Sequence, residues 1–209
     1  MTDIRSRTLI LASDYRVPDP ERVWPLLERR RSGLAGMGAH HVLVYASTAE
    51  PGRVLVTMGI RNPEPVVDLL RSRVFFDWFD AVGVEDIPAV FAGEMVEKLD
   101  LTTSSETAPP GIVVAAMTSV HDVTTLIEQV HGTLDEFKAR GTRKIWFYQA
   151  FDDPCEVLIL HEIDSEENAR RWIQNPDVVA EWMVGAGVGA YPPLFVGEFV
   201  NMMRIEENL

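Results

Sequence analysis

A histidine interrupts the apolar run Val157-Leu-Ile-Leu-His-Glu-Ile, and this imidazole is the side chain best placed for acid-base chemistry. Strand alternation puts His161 on the face of Val157, Ile159 and Ile163, with Glu162 on the other. There it would act as a base or orient a ligand. A hydrogen-bonded core histidine explains the same facts. Tyr148, in the preceding apolar run, is the second candidate catalytic group, and Tyr45 offers a matching hydroxyl in the first half of the chain. Either would donate to a ligand oxygen, although one hydrogen-bond partner suffices to make a tyrosine structural. Trp78, Trp146 and Trp182 join Tyr45 as candidate ligand-lining residues, since flat rings suit a small apolar molecule. Large aromatics at helical spacing are also ordinary core material.

Other polar residues carry weaker signals. Glu94 and Glu198 recur in Phe91-Ala-Gly-Glu-Met-Val and Phe195-Val-Gly-Glu-Phe-Val, as a paired acid or base or as carboxylates on a solvated or inter-module face. His40 and His41 have no acidic or cysteine ligand nearby in sequence, so no metal site is expected. Cys155 is the single cysteine, which rules out an internal disulfide or thiolate cluster. There is no Gly-rich phosphate loop and no G-x-S-x-G elbow. Gly185-Ala-Gly-Val-Gly follows a helix, where a dinucleotide fingerprint must follow a strand.

The elements that must hold these residues occur twice. Tyr45 corresponds to Tyr148 and Pro51 to Pro154, in a register unbroken from Thr8/Gly111 to Ile60/Ile163. One residue is gained before Trp78/Trp182, and the pairing then runs on to Leu101/Ile205. Each copy opens with a short apolar strand and a helix-start signal, Asp19-Pro20 or Asp122. The first helices are expected to end at Gly38 and Gly141, with a bend at Pro25 in one and a weak spot at Gly132 in the other. A strand, a turn at Pro51-Gly52 or Asp153-Pro154, and a second strand make a hairpin. A second helical segment and a last strand, Val90 to Leu99 or Leu194 to Ile205, complete each copy. The pattern is β-α-β-β-α-β, the ferredoxin-like arrangement.

These observations predict an α+β fold of two tandem ferredoxin-like modules, 1–101 and 111–209, joined by a linker at 102–110. The antiparallel sheets are expected to pack face to face, because a sheet with both helices on one side must bury the other.

The chain resembles the dimeric α/β barrel superfamily, and within it the antibiotic biosynthesis monooxygenase-like branch. The second module carries the likeness best, in Val157-Leu-Ile-Leu-His-Glu-Ile-Asp-Ser-Glu-Glu, Ala169, Gly185-Ala-Gly-Val and Pro192. Family members usually pair two chains, so the resemblance implies a pseudo-dimeric barrel made by one. It also implies functions from cofactor-free oxidation of aromatic polyketides through haem degradation and isomerisation to plain ligand binding, among which fold does not choose. Haem-degrading relatives have a Trp at the end of the third strand and a His nine residues on. Here those places hold Ile163 and Trp172, or Ile60 and Leu69, so no haem and no other cofactor is expected.

A net charge of −13 opposes binding to nucleic acid. The start of the chain has no signal-peptide pattern and no run is long enough to span a bilayer, so a cytoplasmic protein without a membrane partner is expected. The leading expectation is a protein that binds a small, largely apolar organic molecule. The alternatives are a cofactor-independent monooxygenase- or isomerase-like enzyme and a non-catalytic assembly module. Homo-oligomers are compatible with all three.

Overall fold

The strand order in the computed structural model follows from the duplication. The structure describes residues 8–70, 73–102, 110–174, 184–185, 187–188 and 193–206. Within them the first copy gives β1 (Leu9–Arg16), α1 (Val23–Arg29), α2 (Arg31–Gly36), β2 (Ala39–Ser47), β3 (Arg53–Ile60), α3 (Glu64–Leu70), α4 (Arg73–Val82) and β4 (Ala89–Asp100). The second gives β5 (Ile112–Ser119), α5 (Val123–Gly132), α6 (Leu134–Ala139), β6 (Thr142–Ala150), β7 (Glu156–Ile163), α7 (Glu166–Gln174) and β8 (Phe195–Arg204). Residues 103–109 of the linker, and Trp182, lie outside the described residues.

The ladders repeat in the same register. Leu9 pairs with Ile60 and with Glu94, and their counterparts Ile112, Ile163 and Glu198 pair in the same way. Even the irregularity is copied: the register shifts between Ala39 and His41 in one module and between Thr142 and Lys144 in the other. The eight antiparallel strands form a closed barrel in the order β1-β3-β2-β8-β5-β7-β6-β4. This is the expected α/β barrel.

Two compact units are present, Met1–Glu94 with Val200–Leu209, and Met95–Phe199. Each last strand therefore starts in one unit and finishes in the other. In the first unit the Ile205 amide donates to His40 O at 2.9 Å, and in the second the Leu101 amide donates to Arg143 O at 2.8 Å.

Each unit has its own core between sheet and helices. In the second, Ile145, Phe147, Val157, Ile159 and Ile163 from the sheet pack with Leu126, Val130, Phe137, Ala169 and Trp172 from the helices. Full burial of one such side chain contributes about 1.5–3 kcal/mol. In the first, Val42, Val44, Val54 and Val56 meet Val23, Leu27, Leu34, Trp78 and Phe79. The remaining residues of each strand necessarily face the side away from the helices.

The bend expected at Pro25 is not where the first helix breaks. Asp19 caps a single 3-10 turn, Pro20–Arg22, and α1 begins only at Val23. Pro25 thus falls in the first helical turn, where a missing N–H costs no intrahelical bond. The break comes at Arg30, between α1 and α2, and recurs at the corresponding Thr133 between α5 and α6. There the Thr133 hydroxyl donates to Gln129 O at 3.0 Å. Gly38 and Gly141 end the paired helices at φ +79° and +83°, as expected of left-handed stop residues.

Candidate functional site

In the second unit β6 carries Lys144, Trp146 and Tyr148 on the side away from the helices. Their cross-strand partners on β7 are Glu162, Leu160 and Leu158. Lys144 Nζ lies 3.4 Å from Glu162 Oε2, with the two side chains only 8% and 12% exposed. Trp146 is half-buried, and the ammonium of Lys98 sits 5.9 Å from its ring centroid. Tyr148 is buried, and burial pushes its hydroxyl up to about 12. It is a protonated donor at neutral pH rather than a base. One sheet face thus presents a flat ring, a hydroxyl donor and a shielded ion pair.

His161 is on the opposite face. It pairs with Ile145 and is 8% exposed, with Phe137 stacked at 5.5 Å and 23° and Trp172 at 5.0 Å and 49°. Burial pushes its imidazole down to about 3, so it stays neutral near pH 7. Its Nδ1 and Trp172 Nε1 are both buried with no hydrogen-bond partner among the described residues. The structure therefore does not bring His161 and Tyr148 together, because a whole sheet separates them. Met58, the counterpart of His161, packs against the core of the first unit in the same manner.

Tyr45 lies in the first unit on the side away from the helices, buried and opposite Leu55. Trp78 is instead a core residue of α4, with the Arg30 guanidinium 5.5 Å from its ring. Trp182 lies outside the described residues. Glu94 is half-buried and Glu198 exposed, on matching rungs of the two sheets.

Two cross-strand pairs are absent from the sequence-based expectation. Lys144 and Glu162 are one. The other occupies the corresponding rung of the first unit, where His41 pairs with Gly59. His41 Nδ1 is 2.9 Å from His40 Nδ1. A Cβ on Gly59 would fall 2.1 Å from His41 Cε1, so glycine is required for the ring to lie there. The usable signal is that both members of a cross-strand pair change together between the two copies.

Among the described residues there is no group of three or more His, Cys, Asp or Glu able to hold a metal ion. No helix among them is long and apolar enough to cross a membrane.

No family model matches the chain, and no curated protein does. Solved structures do. An anthrone oxidase-like protein superimposes with a TM-score of 0.70 at 14% identity, covering 98% of this chain and 96% of that one. A putative monooxygenase from Fusobacterium nucleatum subsp. nucleatum gives 0.58 at 8% identity, with 96% of each chain covered. A heme-binding protein from Thermus thermophilus gives 0.53 at 14% identity, over 93% of this chain and 92% of that one. At such identities the likeness is one of fold, and that fold is the dimeric α/β barrel. Here the two ferredoxin-like halves belong to a single polypeptide.

Proposed function

We propose that this is a soluble, cytoplasmic binding protein for a small, largely apolar organic molecule, held in the second unit against Trp146 and Tyr148. The observation that carries this reading is the half-buried Trp146 ring on a face that also offers a hydroxyl donor, while the neighbouring Ile145 and Phe147 are wholly withdrawn into the core. An aromatic face binds an apolar ring system, and a few placed polar groups fix its orientation. Tyr148 donates to a ligand oxygen, and Lys98 closes over the outer face of Trp146. Support also comes from similar folds described as monooxygenase-like and heme-binding proteins.

The test is a titration of the intact chain with anthrone and with 1-naphthol, followed by tryptophan fluorescence. Trp146→Ala should weaken binding about tenfold, in line with the loss of one aromatic contact. Unchanged affinity in that variant places the ligand elsewhere. Absence of saturable binding by either compound overturns the reading.

A second reading, a cofactor-independent monooxygenase- or isomerase-like reaction, is favoured by the shielded Lys144–Glu162 pair. A carboxylate beside a bound ring is a proton acceptor, and the ammonium next to it stabilises the enolate or phenolate that forms. Oxygen uptake with anthrone that disappears in Glu162→Gln supports catalysis. Binding without turnover leaves the binding protein.

A further inference from the structure

We propose that the first unit holds a separate binding site for a small oxyanion, a phosphate or carboxylate group, formed by His40, His41, Arg61 and Arg204 where the start of β2 meets the end of β8. The site shares no residue with the ligand face of the second unit.

The groups are gathered by backbone contacts. Arg61 Nη1 donates to Ala39 O at 3.2 Å and Nη2 to Ile205 O at 3.3 Å. Arg31 Nη2 donates to Arg204 O at 2.5 Å, and the Ile205 amide donates to His40 O. Arg31 of α2 and Arg61, just after β3, thus bind backbone carbonyls of Ala39, Arg204 and Ile205 next to the rung where two histidines lie edge to face, with centroids 4.4 Å apart at 73°. The charge of Arg204 on β8 reaches His41. Both rings are half-buried over Gly59, whose absent side chain leaves the room they use. With Nδ1 atoms 2.9 Å apart, one neutral ring donates to the other; the accepting ring has Nε2–H to donate to an oxyanion, and the donating ring's Nε2 becomes a donor only on protonation.

Charge decides which partner. Burial and then Arg61 depress His40, while burial, His40 and Arg204 press His41 down to about 4. The charges acting on both rings are therefore positive. Exposed Glu206, just beyond β8, is the acidic residue nearest in sequence, and Arg31 adds a further cation. In a chain of net charge −13, such a concentration of guanidinium groups attracts an anion and repels a metal cation. Arginine forks match the planar or tetrahedral oxygens of carboxylate and phosphate. A bound anion reverses the local field and lets His41 accept a proton. Binding then takes up a proton, so affinity rises as pH falls from the raised bound value toward about 4.

The test uses the intact chain, titrated calorimetrically with inorganic phosphate and, in a second arm, with acetate, at pH 8 and pH 6. Imidazole nitrogen shifts are followed by NMR. Saturable binding that tightens toward pH 6, with the His41 resonance moving toward the imidazolium position, supports the site. The stronger arm tells phosphate from carboxylate. Arg204→Gln and Arg61→Gln should each weaken binding about tenfold, the cost of a charge-assisted contact. Arg204→Gln should also raise the His41 pKa in the free protein, a readout that does not depend on a ligand. No saturable binding in either arm overturns the proposal. So does phosphate affinity unaffected by both arginine variants, or tight binding of Zn²⁺ that His41→Ala removes.

Discussion

Lys144 and Glu162 face each other across β6 and β7 at 3.4 Å, and the residues in their places in the first module are His41 and Gly59. The same rung of a duplicated sheet thus holds an ion pair in one copy and a neutral ring over a glycine in the other. Substituting either member alone would not be neutral, because the partner's shape and charge depend on it.

For the ion pair this is measurable. Glu162→Gln or Lys144→Met alone breaks a largely buried ion pair and should destabilise by about 3–5 kcal/mol. The double variant Lys144→Met with Glu162→Gln should recover most of that loss. Chemical denaturation of the four proteins in a double-mutant cycle gives the coupling. Additive losses would show that the two groups do not act as a pair.

For the glycine, Gly59→Ala forces the His41 ring out of the space it fills and should cost about 1–3 kcal/mol, as overpacking does. Gly59→Ala combined with His41→Ala should be less destabilised than Gly59→Ala alone. Thermal melts of the two variants and the unsubstituted protein decide this.

His161 makes stability depend on pH. Its folded pKa of about 3 lies below the ordinary value of 6.5, so the unfolded chain binds the extra proton. The stabilisation is complete above about 6.5 and is lost progressively as pH falls toward 3, by about 1.4 kcal/mol for each pH unit. His161→Met restores the residue type of the first module, removes this dependence and leaves no orphaned Nδ1. It should stabilise by about 1 kcal/mol at pH 7 and by more at pH 5. Denaturation midpoints at the two pH values test both the sign and the size. His40, held below its ordinary value, and His41, with a folded value of about 4, give the residual slope that remains in the variant.

Tyr148→Phe removes a donor without removing the ring. On the proposed ligand face it should weaken binding of 1-naphthol about fivefold to tenfold, while a hydrocarbon such as naphthalene is bound equally by both proteins. Equal losses for the two compounds would mean that the substitution disturbs packing and not a hydrogen bond.

Much of the fold is readable from the chain because the repeat cross-checks every element. Asp19 and Asp122 mark helix starts, Gly38 and Gly141 mark stops, and the strands between them appear at matching positions. The helix break is not readable from Pro25, since its effect depends on where the first α-turn begins. Alternation puts His161 with Val157, Ile159 and Ile163 on one face of β7, but that Trp146 and Tyr148 lie on the other side of the sheet follows only from the β6–β7 register and from which face the helices cover. The partner of Glu162 depends on the same register, which runs unbroken from Gln149/Val157 to Lys144/Glu162 and shifts only beyond that rung, at Thr142; no residue type marks that register in the chain. The meeting of His40, Arg61 and Arg204 likewise requires knowing that β8 ends beside β2.

Because β4 and β8 each finish alongside the second strand of the other copy, neither half of this polypeptide owns a complete set of sheet edges. Proteolysis within 102–110 would yield two fragments that stay locked by reciprocal strand donation. Either fragment expressed by itself would expose an unpaired rim open to strand pairing with a second copy of the same fragment.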